Sequence, residues 1–591
     1  MRYLLRFTIL AFAATLVMPT MTAAQEASPP GEARVLTVGS QGDIISANPF
    51  RADGTADYEM MILTYDMLFS FDAENLMPTD GLGIWPPSLG NDGRTWTIKI
   101  RDDAKWSDGE PVTSRDIAFT YNFVENNPSG RLFNKAIPDG STFETPDDTT
   151  LIWKLPVPGP LGPTTPPYVP ILPEHIWKKL DGKADAVIEG YRNVPAVGSG
   201  PFTLTEWKEG ELWRVEANPY YWGEEAYLDE VTFRTYTEME SLKLALTKGE
   251  IDIAIGLSPN IFNQIKGEPD IETLSATPML FDSLSFNFEG SANPALHDER
   301  VRDAIHHAID KQAIVDRVWL GGGTPGDTYL VPAYSRWYKP INGTSEEVEY
   351  DPLAAAELLK EAGYTDSDGD GVVEKKGQPL KLEVTAISDW SNSRDESEMI
   401  KGFLERIGID ASMQTVTEAR GNELWRAQDF DMYVWYWDPD IDPQFMTDIF
   451  TTEQCLSWSD GCYSDPYYDK LAEEIATETD EAKRQELVDE AQSYIYDKAP
   501  IINLVYPGDL VAWRTDGFDG WTNIPSPNGP PIFSWSPATY LALHPVEASG
   551  GGSTGGGSSP WVWVVLGGVV ILGVVVIVLA RRSRAANTDK E

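Results

Sequence analysis

Thr95-Trp96-Thr97-Ile98-Lys99-Ile100-Arg101 alternates polar and apolar side chains, with Trp96, Ile98 and Ile100 on one face. That period of two is the mark of a half-buried strand. Trp106-Ser107-Asp108-Gly109 follows as a turn, and Thr113-Ser114-Arg115-Asp116 is close to a capping box with Asp in place of Glu. A helix opens there and runs through Phe123. A strand, a turn and a capped helix in such short compass set the pattern for the rest of the chain.

Outward from this stretch the mixture continues. Residues 204–217 and 230–237 read as strands, 241–248 as a helix stopped by Gly249, and Ile251-Asp252-Ile253 as the start of a further strand. Residues 300–320 carry Val301, Ala304, Ile305, Ala308, Ile309 and Val315 at helical spacing, ended by Gly321-Gly322-Gly323. Residues 353–362, 397–407 and 480–498 are further predicted helices. Strands interleaved with helices make an α/β body. There is no internal repeat and no low-complexity stretch before residue 549.

The chain has 591 residues, room for a large buried core. It carries 46 Lys and Arg against 92 Asp and Glu, a net charge of −46. Nucleic acid and bare anionic membrane surfaces bind basic patches, so neither is the expected partner. Five His and two Cys are too few for zinc-finger or iron–sulfur chemistry.

Both ends read as addresses. Met1-Arg2, Arg6, an apolar run from Phe7 and Thr22-Ala23-Ala24 before Gln25 form a secretory signal over residues 1–24. Residues 561–580 are twenty apolar residues without a charge. They reach about 30 Å as a helix, a bilayer's hydrocarbon core. Arg581-Arg582-Ser583-Arg584 follows, so the reading is a single-pass helix with a cytoplasmic tail over 581–591. Residues 548–560 are a Gly/Ser tether. The body is then expected outside the cell, on the extracellular side of the membrane. Export also makes Cys455 and Cys462, the only cysteines, a disulfide stapling a local loop.

No catalytic constellation emerges. Gly198-Ser199-Gly200 lacks the spacing of a nucleophile elbow, His306-His307 has no metalloprotease context, and no phosphate-binding or dinucleotide fingerprint is present. In so acidic a chain an Asp/Glu pair cannot nominate a glycosidase. The expectation is a binding protein, not an enzyme, with no cofactor. A secreted hydrolase and an adhesive surface protein are the rival classes.

Several stretches, in order, resemble the extracellular solute-binding proteins of family 5, the peptide, nickel and oligosaccharide receptors of ABC importers. They are Asp92-Gly93 through Trp106-Ser107-Asp108-Gly109-Glu110-Pro111-Val112-Thr113 and Asp116; Gly198-Ser199-Gly200-Pro201-Phe202 with Asn218-Pro219-Tyr220-Tyr221-Trp222 and Leu228-Asp229-Glu230-Val231; Gly249-Glu250-Ile251-Asp252-Ile253; Val301-Arg302-Asp303-Ala304 with Ala308-Ile309-Asp310-Lys311; and Trp437-Asp438-Pro439-Asp440-Ile441-Asp442-Pro443. The resemblance covers about residues 35–540. It implies a periplasmic-binding-protein-like type II fold of two lobes plus an inserted third domain. The expected boundaries are 25–75, 190–285 and 508–547 for the first lobe, 76–189 for the insert and 286–507 for the second lobe. It further implies a monomer that encloses its ligand between the lobes and delivers it to permease subunits served by a cytoplasmic ATPase.

The resemblance places the pocket at Trp435-Tyr436-Trp437-Asp438-Pro439-Asp440, with Trp390 and Asn48 as further candidates. In peptide-binding members an Asp here pairs with the ligand's amine while backbone groups pair with the peptide as a strand would. Counting back from Asp442-Pro443, that position falls on Pro439, with Asp438 and Asp440 on either side. The acids are read as ligand anchors or turn caps, and the aromatics as core or as stacking platforms for sugars. A basic partner for a peptide's carboxyl end is not evident near Ser388 and Trp390. Peptides are the first expectation and oligosaccharides the second. Separately, Asp366, Asp368, Asp370 and Glu374 occupy positions 1, 3, 5 and 9 of a calcium-type loop whose position 12 is Gly377 and not Glu. A structural calcium ion and an ion-free turn are the two readings.

Overall fold

The computed structural model describes residues 34–546, except 53, 128–136, 139, 160–168, 291–292, 389 and 391. The expected signal, tether, membrane span and tail lie outside the described residues. The chain divides into two compact units, 1–545 and 546–591; the architecture below is that of the first.

A seven-stranded sheet runs in the order Ile271–Ala276, Asp509–Arg514, Ile253–Ala254, Val35–Ser40, Glu230–Thr235, Leu212–Ala217, Phe202–Lys208. Val35–Ser40 is parallel to both neighbours, and the remaining pairs are antiparallel. Its alternation buries Leu36 and Val38 beside Leu204, Trp213, Val215 and Val231. The turn Gly198-Ser199-Gly200 enters this sheet pressed on the backbone of Thr64. A Cβ at position 198 would stand 1.9 Å from the Thr64 carbonyl oxygen, so glycine is required by clearance.

A six-stranded sheet follows in the order Gly323–Pro325, Ile501–Pro507, Phe281–Phe286, Met432–Trp437, Lys381–Ile387, Asp410–Val416. Two neighbouring strands of the first sheet continue into two neighbouring strands of the second. Ile271–Ala276 leads through residues 277–280 to Phe281–Phe286, and Ile501–Pro507 leads through Gly508 alone to Asp509–Arg514. Residues 281–285, expected in the first lobe, therefore pair in the second sheet, because each of them bonds a strand of that sheet.

Between the helix Thr55–Thr64 and the strand Phe202–Lys208 lies an antiparallel sheet of four strands, Gly83–Leu89, Thr95–Ile100, Thr150–Lys154 and Thr142–Asp147 in spatial order. The helix Ser114–Asn126 packs on it. The Thr113 amide donates to Asp116 Oδ2 at 2.8 Å, as the capping pattern predicts. The helix predicted over 300–320 is two, Glu299–Ala308 and Lys311–Arg317. Ile309 ends the first and Asp310 caps the second, its Oδ1 accepting the Ala313 amide at 2.9 Å.

Candidate ligand-binding site

Met432–Trp437, a run of aromatic and β-branched residues suited to a buried strand, lies fourth of six in the second sheet. It pairs antiparallel with Phe281–Phe286 and parallel with Lys381–Ile387. Alternation sends Met432 and Val434 into the core with Leu284, Phe286 and Val384. Trp437 is buried in a second cluster, where its Nε1 donates to Asp460 Oδ2 at 2.9 Å. Trp437 thus packs in the core, one of the two readings its sequence left open.

The strand ends at Asp438. This residue is solvent-exposed and its carboxylate accepts no hydrogen bond among the described residues, yet desolvation by the surrounding protein pushes it up to about 7. Asp440 is half-buried. Burial, then the charges of Asp438 and Asp440, raises the buried Tyr334 hydroxyl well above its ordinary range. Asp442, two residues on, is scaffold: it forms a buried bidentate pair with Arg484 at 2.8 and 2.9 Å. Its Oδ1 also accepts the Gln444 amide at 3.0 Å.

The remaining aromatics form one stack. The Trp390 ring lies 4.0 Å from that of Trp435 and 4.3 Å from that of Tyr436, with Tyr433 a further 5.3 Å from Trp435. Tyr436 keeps 39 % of its surface exposed, so the stack opens to solvent there. Asn48 is elsewhere and fully buried. Its Nδ2 donates to the Ile188 carbonyl at 2.6 Å and the Tyr191 carbonyl at 3.1 Å, and its Oδ1 caps the Phe50 amide. Every polar group of that side chain is engaged in the scaffold, so Asn48 is not carried forward as a ligand contact.

Three residues that sequence reasoning missed support this strand. Asp282, opposite Tyr436 in register, meets the carboxyl of the buried Glu396. Trp319 Nε1 donates to Glu396 Oε1 at 2.8 Å, while its Oε2 faces no donor. Two facing carboxyls are favoured when one of them keeps its proton: burial lifts Asp282 to about 7, and burial, then the Asp282 charge, holds Glu396 well above its ordinary range. The third is Asp460, inside the loop that the Cys455–Cys462 disulfide closes. Only this last carried a sequence signal, by lying between the cysteines.

Asp366, Asp368 and Asp370 bring oxygens within 4.8 Å of one another on the surface. Glu374 stands outside that trio, accepting from the Ser367 amide at 2.9 Å. The trio's oxygens accept the Gly369, Asp370, Gly371 and Val372 amides, the hydrogen bonding of a self-sufficient acidic turn.

The model of the bacterial extracellular solute-binding proteins, family 5 (middle) matches residues 87–457. The oligopeptide-binding protein AppA of Bacillus subtilis (strain 168) is 25 % identical over 83 % of this chain and 89 % of its own. The nickel-binding periplasmic protein of Escherichia coli (strain K12) is 25 % identical over 77 % of this chain and 86 % of its own. Among solved structures, a periplasmic oligopeptide-binding protein of Thermotoga maritima with bound mannohexaose superposes with a TM-score of 0.69 at 19 % identity, covering 88 % of this chain and all of that one. These findings correct the cell-surface, single-pass placement. Among the described residues no helix is long and apolar enough to cross a membrane, and the Escherichia coli relative is periplasmic by name. Residues 561–580 themselves lie outside the described residues. With two lobes in the periplasmic-binding-protein manner, and motifs matched across most of the first unit, the chain belongs to the bacterial extracellular solute-binding proteins, family 5.

Proposed function

We propose that this protein captures short peptides by their free amino terminus and delivers them to the permease of an ABC importer, as a monomer and without catalysis. The observation that carries the reading is Asp438: a carboxylate that accepts no hydrogen bond among the described residues, open to solvent but desolvated, whose charge acts on the buried Tyr334 hydroxyl. Such a group favours an ammonium partner, whose charge-assisted bond offsets the desolvation. The family membership and the name of the Bacillus subtilis relative support capture and transport. The residue ranges assigned above to the two lobes and the insert are part of this proposal, with the first crossing moved to 277–280.

A second reading, oligosaccharide capture, is favoured by the open Trp390–Trp435–Tyr436 stack, since sugar rings pack on aromatic faces. Calorimetry separates the two. Asp438→Ala leaves a peptide ammonium unpaired, at roughly 3–5 kcal/mol, a loss of at least about a hundredfold in affinity. Asp440→Ala should lose less than about tenfold, and N-acetylating the peptide should reproduce the Asp438 loss. If instead Trp435→Ala abolishes binding of an oligosaccharide while acetylation changes nothing, the peptide reading fails.

A further inference from the structure

The loop closed by Cys455 and Cys462 is built into the second sheet. Asp460 Oδ2 accepts both from Trp437 Nε1 at 2.9 Å and from Ser285 Oγ at 2.6 Å. One carboxylate therefore ties the last residue of Met432–Trp437 to a residue of Phe281–Phe286. The loop's backbone is held as firmly. The Gly461 carbonyl accepts the Phe288 amide at 2.8 Å, the Ser459 carbonyl accepts Trp425 Nε1 at 3.0 Å, and the Asp460 carbonyl accepts Gln428 Nε2 at 3.3 Å. The contact is so close that a Cβ at position 461 would stand 1.7 Å from the Phe286 carbonyl oxygen. The disulfide fixes both ends of this short segment, so Asp460 has little freedom to retreat from the strand.

We propose that Asp460 is a positioning residue for ligand capture, fixing the Trp437 indole and through it aiming Asp438, the next residue, at the ligand. The inference rests on Asp438 being the ligand's anchor. Burying a carboxylate is a costly way to fill space, and an apolar side chain would pack as well. What the carboxylate adds is direction: an N–H···O⁻ bond is strong and short, and the indole cannot turn without losing it. A residue adjacent to a pinned ring inherits the orientation of the shared peptide unit, and ligand geometry is sensitive to small errors there.

The test uses the full chain and the peptide it retains most strongly from an equimolar pool of free-amine peptides. Affinity is measured at a temperature where circular dichroism shows every variant folded. Asp460→Ala should weaken binding by at least about tenfold, the scale of one charge-assisted hydrogen bond. Asp460→Asn, which keeps an acceptor for the indole in the same volume, should restore affinity to within about threefold. Trp437→Phe keeps the ring and removes the donor, and should weaken binding as Asp460→Ala does; it serves alone if Asp460→Ala does not fold. Wild-type affinity in Trp437→Phe, or equal losses in Asp460→Asn and Asp460→Ala, overturns the proposal. Asp438→Asn run alongside separates the two claims. If it abolishes binding while the Asp460 and Trp437 variants bind normally, only the positioning role falls. If it binds normally, or if the wild type retains no peptide, the anchor reading falls and the positioning role with it.

Discussion

Asp438 could be singled out from sequence because an acid among aromatics is chemically conspicuous, but its exposure and its lack of a hydrogen bond among the described residues are properties of the fold. Tyr334 could not be found that way, since only folding brings its hydroxyl under the charges of Asp438 and Asp440. Trp437 is not legible from its own strand, because its burial is decided by a different cluster and its acceptor, Asp460, lies in a different loop. The Asp282–Glu396 pair was equally illegible, its members more than a hundred residues apart in a chain full of acids. It has a consequence at the residue scale. Both carboxyls titrate above their unfolded values near 4, Asp282 at about 7. The folded state therefore holds protons that the unfolded chain has released, and this pair's stabilisation falls as pH rises from about 4 through 7 and beyond. Urea unfolding at pH 5, 7 and 9 should show wild type losing more stability toward alkaline pH than Glu396→Gln, which keeps a neutral partner for Asp282. Parallel pH profiles would remove the retained proton from the account.

At the scale of elements, local signals were read well wherever the deciding contacts are local. The Thr113–Asp116 cap and the strand Thr95–Ile100 stand as their sequence suggests. The run 300–320 kept its apolar spacing across a break, because Asp310 serves as a cap in the middle of a helical pattern. The crossing near residue 280 was displaced for a different reason: strand pairing partners are distant in sequence, so nothing in 281–285 announces which sheet it joins. The turn after the strand Met432–Trp437 depends on such a distant partner too. Asp442 and Arg484 bond through two oxygens and two nitrogens with both side chains buried, which fixes the turn to the helix Glu481–Lys498. Asp442→Ala leaves Arg484 buried and unpaired and should cost about 3–5 kcal/mol of unfolding free energy. Thermal or urea denaturation checks this, and a loss below about 1 kcal/mol would mean that water replaces the carboxylate.

For the whole molecule, the family motifs made the architecture legible because most of them are turns, caps and close-approach glycines that recur with the scaffold. The ligand is less legible, since the proposed anchor is a single side chain at the end of one strand. The two links between the sheets differ in length, four residues against one, and this has a mechanical meaning. A single residue spans at most about 3.6 Å and cannot lengthen, while four can take up or release slack of about 10 Å. The short link is therefore a pivot and the long one a strap, so the sheets can swing about Gly508 but cannot slide apart there. Gly508 is also closely surrounded, with a Cβ there standing 2.5 Å from Ser275 Oγ and 3.0 Å from the Gly322 carbonyl oxygen. A bulky residue would jam the swing. Small-angle scattering should show the radius of gyration falling on ligand addition in the wild type, and falling less in Gly508→Val; an unchanged response would move the pivot elsewhere. Closure on a ligand would then be a change of angle set at one residue, with the distance between the sheets at that point held constant while the angle changes.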